Sequence, residues 1–235
     1  MKFFKEIFIS CLLCMATVTL QAQSVNEKDK NVTDEKTVID KDEKLVKQLR
    51  LKKLRLIVYR HGEATNNVVQ QVVSSRSPGI SLTRYGKEQT HACAEQIRNG
   101  LDCQVVIYSS PLFRSQQSAN ILGHDLDIPY QNIWVDDRLK LQTFGVFEGM
   151  DYEKYKSFFD SPEEMFYQIV PGHEYGLQVF DRLQSLLWSI SKTHYDKTII
   201  IVTHAFNCCY INKCLVGQYD YVPELGEFRI YDFTQ

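Results

Sequence analysis

The stretch LRLIVYRHGE (residues 54–63) contains both an apolar run and the polar turn that ends it. Its first part, Leu54 to Tyr59, is almost continuously apolar, which predicts a buried strand of a parallel sheet. Arg60 and His61 follow at once, at the carboxyl end of the strand, where open α/β sheets bind their ligands. Gly62 allows a tight turn whose backbone can approach a ligand closely.

Two further apolar segments predict strands that also end in polar residues. The segment from Gln104 to Tyr108 precedes a turn with Ser110 and Arg114, and the segment from Thr198 to Thr203 precedes His204. We expect Ser110 to cap a helix whose first turn contains Arg114. Backbone N–H groups in such a turn favour a bound anion.

The segments between these strands carry helical periodicity, caps and turn residues. Helices are expected near residues 83–99, 152–159, 177–193 and 206–215, a short strand at 133–135 and an edge strand at 227–233. On the first helix, Tyr85, Cys93 and Ile97 are expected to cover the sheet. This alternation predicts an α/β fold, a three-layer α/β/α sandwich with a mostly parallel sheet, in which the three polar strand ends share one edge.

The side chains expected at that edge are two arginines and two histidines: Arg60, His61, Arg114 and His204. Phosphate is the ligand that best fits this set, because the arginine fork matches its oxygens. We favour His61 as a nucleophile that forms a phosphohistidine, with His204 as a donor to the phosphoryl oxygens. The sequence has no Asp/His cluster with metal-ligand spacing and no Gly-rich nucleotide loop before a Lys, so neither a metal nor another cofactor is predicted.

The chain has 235 residues and a formal net charge of −2, so it lacks the positive field of a nucleic-acid-binding protein. Lys2 and Lys5 precede an apolar run from Ile7 to Leu20, and Ala22 offers a small residue for cleavage. The run is shorter than the roughly 18 residues of a spanning helix, although an uncleaved anchor stays an alternative. We therefore expect residues 1–22 to be a signal peptide and the protein to be exported, periplasmic or extracellular, without stable membrane association after cleavage.

The segment after the signal peptide, residues 23–53, is dense in Lys, Asp and Glu. It has too few apolar residues to fold alone, so we interpret it as a charged linker, helical near Glu43 to Leu51, before a folded domain at 54–235. Five cysteines follow the signal peptide, an odd number without the spacing of a zinc or redox motif, and buried thiols are favoured for them. They are Cys93, Cys103, Cys208, Cys209 and Cys214.

Six motifs together resemble the histidine phosphatases, the phosphoglycerate mutase-like superfamily, over residues 54–233. In the family's order they are Arg60-His61-Gly62-Glu63 with Asn67, Leu82-Thr83 with Gly86, Ser110-Pro111-Leu112 with Arg114, Phe144-Gly145 with Phe147-Glu148-Gly149, Pro171-Gly172 with Glu174, and Val202-Thr203-His204. The region from Phe166-Tyr167 to Arg182 is most similar to the broad-range acid phosphatases of branch 1. The resemblance implies a phosphoglycerate mutase-like fold.

The resemblance also implies roles for particular residues. His61 would be the phosphorylated nucleophile, and Arg60, Arg114 and His204 would complete the phosphate pocket. Asn67 would contact the phosphate or the substrate. The implied substrate is a small-molecule phosphomonoester.

Three positions depart from the family's pattern. Ala64 stands where Ser or Thr is usual, and Ala205 where Gly is usual. Leu141 occupies the place of the family's catalytic Glu and cannot carry a proton. Glu148 is the carboxylate we expect to replace it, with Glu63 and Asp151 behind it. A loop carboxylate that only binds backbone N–H groups is an equally open interpretation of Glu148.

Three functions are compatible with these residues. The first is an exported phosphatase that hydrolyses phosphomonoesters. The second is a phosphomutase, which the signal peptide disfavours because diffusible glycolytic substrates are not expected outside the cytosol. The third is a catalytically weakened phosphate-binding or partner-binding member of the family, which Leu141 favours and the intact Arg60, His61, Arg114 and His204 oppose. The sequence determines neither the natural substrate nor the oligomeric state.

Overall fold

The structure of the protein is a computed structural model that describes residues 35–70, 79–101, 104–159 and 170–234. The predicted signal peptide, Cys103 and Phe166-Tyr167 lie outside the described residues. The described residues form seven α-helices and five strands: α1 (Glu35–Leu51), β1 (Arg55–Arg60), α2 (Thr65–Val68), α3 (Arg84–Arg98), β2 (Val105–Ser109), α4 (Phe113–Asp125), β3 (Ile133–Val135), α5 (Tyr152–Lys156), α6 (Gly176–Thr193), β4 (Thr198–Thr203), α7 (Ala205–Val216) and β5 (Phe228–Asp232). Short 3-10 helices occur at Tyr130–Asn132, Asp137–Leu139 and Gly145–Phe147.

The five strands form one sheet in the order β3-β2-β4-β1-β5. The pairs β1–β4, β2–β4 and β2–β3 are parallel, and β5 lies antiparallel to β1 at the edge. The predicted α/β fold with a mostly parallel sheet is confirmed, including the edge position of the last strand. Every residue of β4 is buried, as expected for a central strand of a sheet covered on both faces.

Helices cover the two faces of the sheet. On one face Ile57 of β1 and Ile200 of β4 pack against Cys93 and Ile97 of α3 and against Leu122 of α4. Helices α6 and α7 pack against each other and form the opposite layer, with α7 against β1. The predicted three-layer sandwich is therefore confirmed.

The prediction that Tyr85 covers the sheet is wrong, because this side chain is 58% exposed. The buried stripe of α3 runs through residues spaced three or four apart, and Tyr85 lies off it. The stripe is Gly86, Thr90, Cys93, Ala94 and Ile97.

Helix α1 is longer than expected, and part of it is packed. A compact unit begins at Asp42 and includes the described residues after it. Leu45 and Leu49 have no exposed surface, and Gln184 of α6 donates a hydrogen bond from Nε2 to Asp42 Oδ1 at 2.7 Å. Residues 42–51 thus pack within the unit, where the sequence suggested a solvated linker up to residue 53. Two leucines one helical turn apart form the buried stripe in an otherwise charged segment.

The helices around the strand ends begin differently from one another. Thr83 caps α3 as predicted, since its side chain accepts a hydrogen bond from the N–H of Gly86 at 3.0 Å. The predicted Ser110 cap of α4 is wrong: the helix begins at Phe113, after Leu112. Arg114 nevertheless lies in the first turn, as expected.

Among the described residues, no helix is both long and apolar enough to cross a membrane.

Buried thiols were favoured for the cysteines, and four of the five are in the described part of the chain. They carry no disulfide and are buried, which confirms that prediction for them: Cys93, Cys208, Cys209 and Cys214.

Two glycines allow the loop after β1 to touch the first turn of α3. A Cβ atom on Gly62 would lie 2.1 Å from the carbonyl oxygen of Gly86, and one on Gly86 would lie 2.0 Å from the carbonyl oxygen of Glu63. Both neighbours are backbone atoms, which cannot move aside as a side chain can. In the same loop, the carbonyl of Glu63 accepts a hydrogen bond from the N–H of Thr83 at 2.9 Å. The two backbones are therefore in direct contact.

We predict that Gly62→Ala and Gly86→Ala each lower the free energy of unfolding by at least about 1–3 kcal/mol, the usual cost of forcing extra atoms into a packed site. Gly100→Ala is the matched control, because a Cβ there meets nothing closer than 3.6 Å. Denaturant unfolding of the three variants measures the difference. Equal stabilities for Gly62→Ala and Gly100→Ala would contradict the proposed backbone contact.

Candidate active site

The pairing of β1 with β4 brings two of the predicted site residues together. In the parallel register Arg60 lies opposite Thr203, and the N–H of His61 donates to the carbonyl of Thr203 at 3.0 Å. His61 and His204 follow these two strand ends, and their ring centroids are 5.1 Å apart in an edge-to-face arrangement. The first turn of α4, which follows β2, adds Arg114. The predicted convergence of strand ends on one edge is thus observed.

His61 is held in one orientation by both ring nitrogens. Nδ1 lies 2.8 Å from the carbonyl oxygen of Gly62, and a carbonyl can only accept, so Nδ1 carries the proton. Nε2 then accepts a hydrogen bond from Nε of Arg114 at 3.2 Å. The lone pair of Nε2 is therefore the nucleophilic position of the ring.

His61 is kept neutral by its surroundings. The side chain is only 4% exposed, and burial lowers the pKa of His61 well below its ordinary 6.5, with the charges of Arg114 and Arg60 acting in the same direction. A depressed pKa keeps the imidazole unprotonated even in mildly acidic solution. The ring is thus in the form that can attack phosphorus.

His204 is also buried and neutral, but its hydrogen bonds differ. Its Nε2 lies 2.8 Å from Ser110 Oγ, and that hydroxyl accepts from the N–H of Leu112 at 3.3 Å. In the tautomer that carries the ring proton on Nδ1, the hydroxyl of Ser110 donates its proton to Nε2. Nδ1 is buried without a hydrogen-bond partner among the described residues. Burial lowers the pKa of His204 well below 6.5, with Arg114 adding to the effect.

Two guanidinium groups complete the cluster. Arg114 is 1% exposed, and burial lowers its pKa to about 10, so it stays charged at neutral pH. Burial also lowers the pKa of Arg60. Nη1 of Arg60 donates to the carbonyl of Pro223 at 2.7 Å, while its buried Nε has no partner in the part of the chain that the structure describes.

Neither guanidinium forms an ion pair with a carboxylate among the described residues. Burying a charge is costly unless a counter-ion compensates it. Two such cations at one place, with a histidine donor beside them, form a site for a compact anion. The arginine forks favour an anion with several oxygens, as in a phosphoryl group.

Asn67 lies on α2, directly after the loop that carries His61. Its Oδ1 accepts a hydrogen bond from the N–H of Ala64 at 2.9 Å, which orients the side chain and leaves Nδ2 as its donor. Ala64 itself is fully buried and forms a β-bridge with Leu82. Contact of Asn67 with substrate stays a prediction.

The carboxylates named as replacement acids have different positions. Glu63 Oε1 accepts from Thr83 Oγ1 at 2.7 Å, and Asp151 Oδ1 accepts from the N–H of Lys154 at 3.0 Å as the N-cap of α5. Both therefore hold local structure. Glu148 is exposed, at the end of the 3-10 helix Gly145–Phe147, and its role as an acid stays a prediction.

Leu141 packs against a cluster of aromatic side chains. The cluster consists of Phe144, Phe147, Tyr155 and Phe159, and Phe206 of α7 also packs on it. Just before Leu141, the carbonyl of Leu139 accepts from Thr203 Oγ1 at 3.0 Å and from Asn207 Nδ2 at 2.9 Å. The segment is thus attached beside the strand end that precedes His204. An apolar side chain occupies the position where the resemblance implies an acid.

Three hydrogen bonds in the site have no signal in the sequence. The side chain of Gln89 on α3 accepts from the N–H of Glu63 at 2.8 Å and donates to the carbonyl of Leu225 at 2.9 Å. Pro223 binds Arg60 from 163 residues further along the chain. The link of Ser110 to His204, in contrast, joins two motifs that the sequence had already placed at the same sheet edge.

Comparisons with known proteins agree with this geometry. Phosphoserine phosphatase 1 of Hydrogenobacter thermophilus (strain DSM 6534 / IAM 12695 / TK-6) is 27% identical over 160 residues, 64% of this chain and 71% of that protein. The structure of YhfR from Bacillus stearothermophilus superposes with a TM-score of 0.62 at 21% identity, over 75% of this chain and 90% of that chain. Phosphoserine phosphatase from Entamoeba histolytica, solved in complex with 3-phosphoglyceric acid, gives 0.61 at 23% identity, over 75% and 89%.

At these identities the solved structures show a shared fold, the phosphoglycerate mutase-like architecture. The family model for the histidine phosphatase superfamily (branch 1) matches residues 56–221, which include Arg60, His61, Arg114 and His204. The sequence motifs, the sheet topology and this match agree, and the chain belongs to branch 1 of the histidine phosphatase superfamily.

Proposed function

We propose that this chain is an exported phosphatase that hydrolyses phosphomonoesters through a phosphohistidine on Nε2 of His61. The observation that carries the proposal is the contact of that neutral nitrogen with Arg114, in a buried site where two guanidinium groups have no carboxylate partner among the described residues. Such a site can bind an anion next to a nucleophile. Related proteins named as phosphoserine phosphatases support a small phosphorylated molecule as the substrate.

In the first step the Nε2 lone pair of His61 attacks phosphorus. The N–P bond forms, the ester P–O bond breaks, and the leaving oxygen takes a proton from Glu148 or, if Glu148 does not act, from water. The charges of Arg60 and Arg114 stabilise the phosphoryl oxygens as the bond changes, and His204, in the tautomer protonated on Nδ1, donates to one of them.

In the second step water attacks the phosphohistidine. The N–P bond breaks, its electron pair returns to Nε2, and inorganic phosphate leaves. The carbonyl of Gly62, which accepts from Nδ1, stabilises the positive charge that the imidazole carries while it is phosphorylated. Because protein groups supply the nucleophile and the charge stabilisation, we propose that no metal ion is needed.

The catalytically weakened, phosphate- or partner-binding alternative is supported by one observation. Leu141, at the position of the family's acid, is packed against aromatic side chains. The buried pair of histidines and the two guanidinium groups are intact and favour catalysis. The phosphomutase alternative has no comparable support in the site.

His61→Ala should reduce turnover of an aryl phosphate to background while the fold is retained, since within the described residues no other neutral nitrogen contacts Arg114. Acid-quench trapping should detect a phosphoenzyme in the wild type and not in the variant. His124→Ala is the matched control and should retain full activity, because the His124 side chain is 88% exposed and bonds only to Asp125 among the described residues. Turnover that survives in His61→Ala, or that EDTA abolishes in the wild type, would contradict the proposal.

The absence of an acid at Leu141 predicts a dependence on the leaving group. A positioned general acid typically raises the rate by about 10²–10⁴-fold. Its loss slows the reaction most for poor leaving groups, which need the proton. Aryl phosphates should be cleaved well and alkyl phosphates poorly. Leu141→Glu should then raise alkyl phosphate turnover selectively. Leu141→Gln should not, because Gln has the size of Glu but no acidic proton.

Glu148→Gln tests the replacement acid in the same assay. If Glu148 donates the proton, this variant should lose alkyl phosphate turnover more than aryl phosphate turnover. The account of the missing acid is wrong if the wild type cleaves both classes equally and Glu148→Gln leaves that ratio unchanged.

We also propose that the protein is exported and cleaved near Ala22, on the basis of Lys2, Lys5 and the short apolar run that follows. Mass spectrometry of the protein isolated from its native host should find a mature N-terminus close to residue 23. An intact N-terminus in a cytosolic fraction would refute export.

A further inference from the structure

The segment from Gln218 to Arg229 packs against the end of β1. Its Pro223 carbonyl accepts from Nη1 of Arg60 at 2.7 Å, and the N–H of Arg60 donates to the carbonyl of Glu227 at 3.0 Å. The N–H of Gly226 lies 3.3 Å from the carbonyl oxygens of both Arg60 and His61. The segment therefore contacts the backbone of the site and also one of its guanidinium groups.

Asn212, on α7, holds both ends of this segment. Its Nδ2 donates to the carbonyl of Gln218 at 2.8 Å and to Asp220 Oδ1 at 3.0 Å. Its Oδ1 accepts from Arg229 Nη1 and from Tyr231 OH, each at 2.8 Å. An asparagine amide has two donor hydrogens and two acceptor lone pairs, so all four are used. The side chain is fully buried, where such a satisfied network fixes a single arrangement.

The two halves of this network meet again next to Pro223. The guanidinium of Arg229 lies over the ring of Tyr221, 3.8 Å from its centroid, a distance at which cation and ring attract each other. Tyr221 is itself buried and stands two residues before Pro223. The proline carbonyl is thus held between a stacked pair on one side and the Gly226 turn on the other.

We propose that Asn212 is a positioning residue for the phosphate pocket, which acts through the Gln218–Arg229 segment and the Pro223 carbonyl to hold the guanidinium of Arg60. This inference rests on the proposed phosphatase function. A guanidinium that is already oriented loses less freedom when it binds the phosphoryl oxygens. If Asn212 is removed, Arg60 keeps its charge but loses its fixed position.

The test uses Asn212→Ala in the full chain, with p-nitrophenyl phosphate as substrate and inorganic phosphate as inhibitor. We expect KM and the inhibition constant of phosphate to rise together by about tenfold, with a smaller fall in kcat. The reason is that Arg60 is in place to bind the phosphoryl group of the substrate and also inorganic phosphate. Leu187→Ala is the control for general destabilisation: Leu187 is fully buried in α6, a different helix. It should lower Tm while the phosphate inhibition constant stays within about twofold of wild type.

Arg229→Met tests the same link to Arg60 at a half-buried residue of the edge strand β5. If Asn212→Ala does not fold, this variant serves as the test of the positioning role. It removes the bond to Asn212 and the stack on Tyr221, and it should also raise the phosphate inhibition constant. The double variant should be no worse than the more affected single variant, because both act through one segment.

The outcomes separate this inference from the proposed function. A wild-type phosphatase whose phosphate inhibition constant is unchanged in Asn212→Ala or Arg229→Met refutes the positioning role alone. An equal rise of the phosphate inhibition constant in Leu187→Ala also refutes it, since general destabilisation of the fold would then explain the weaker phosphate binding. A folded wild-type protein that neither hydrolyses the aryl phosphate nor is protected from thermal unfolding by phosphate overturns the proposed function and this inference with it.

Discussion

The parallel register of β1 and β4, in which Arg60 lies opposite Thr203, is the constraint on which the site depends. It places the residues after the two strands side by side, so that His61 and His204 come within 5.1 Å between ring centroids. A slip of one residue would turn every side chain of β1 to the other face of the sheet. The buried residues of β1, Leu56 to Tyr59, resist such a slip, because each would lose the neighbours it packs against on its own face. The core of the sandwich thus determines the geometry of the histidine pair.

The electrostatics of the site follow from that burial. Arg114 is buried, Arg60 is half-buried, and neither forms an ion pair with a carboxylate in the described part of the chain, so a bound anion would compensate their charge. The same burial and the same charges lower the pKa of both histidines. The cluster therefore combines fixed positive charge with a neutral nucleophile, two properties that phosphoryl transfer to histidine requires together. Both depend on the exclusion of water, since solvent would weaken the charges and restore the ordinary histidine pKa.

The position of Leu141 distinguishes this chain from the family pattern without disturbing the phosphate pocket. The segment before it is attached to the end of β4 through Leu139, while Leu141 itself joins the aromatic cluster. In the proposed mechanism, binding and transfer of the phosphoryl group depend on the sheet edge, and protonation of the leaving oxygen depends on a separate segment. The two functions lie on different elements, so one can change while the other is retained.

The sequence by itself determined the strand-helix order, the mostly parallel sheet and the four residues at its edge, because these depend on local periodicity and on the rule that parallel strand ends share an edge. The assignment of Leu141 to the position of the family's acid rests on the resemblance and stays a prediction. The tertiary structure decided four other features: the hydrogen bonds of Asn212, the Pro223 contact with Arg60, the burial of Leu45 and Leu49, and the hydrogen bond between Ser110 and His204. Each of these depends on hydrogen bonds or packing between residues far apart in the chain, where local propensity has no influence and only the folded core fixes the distances.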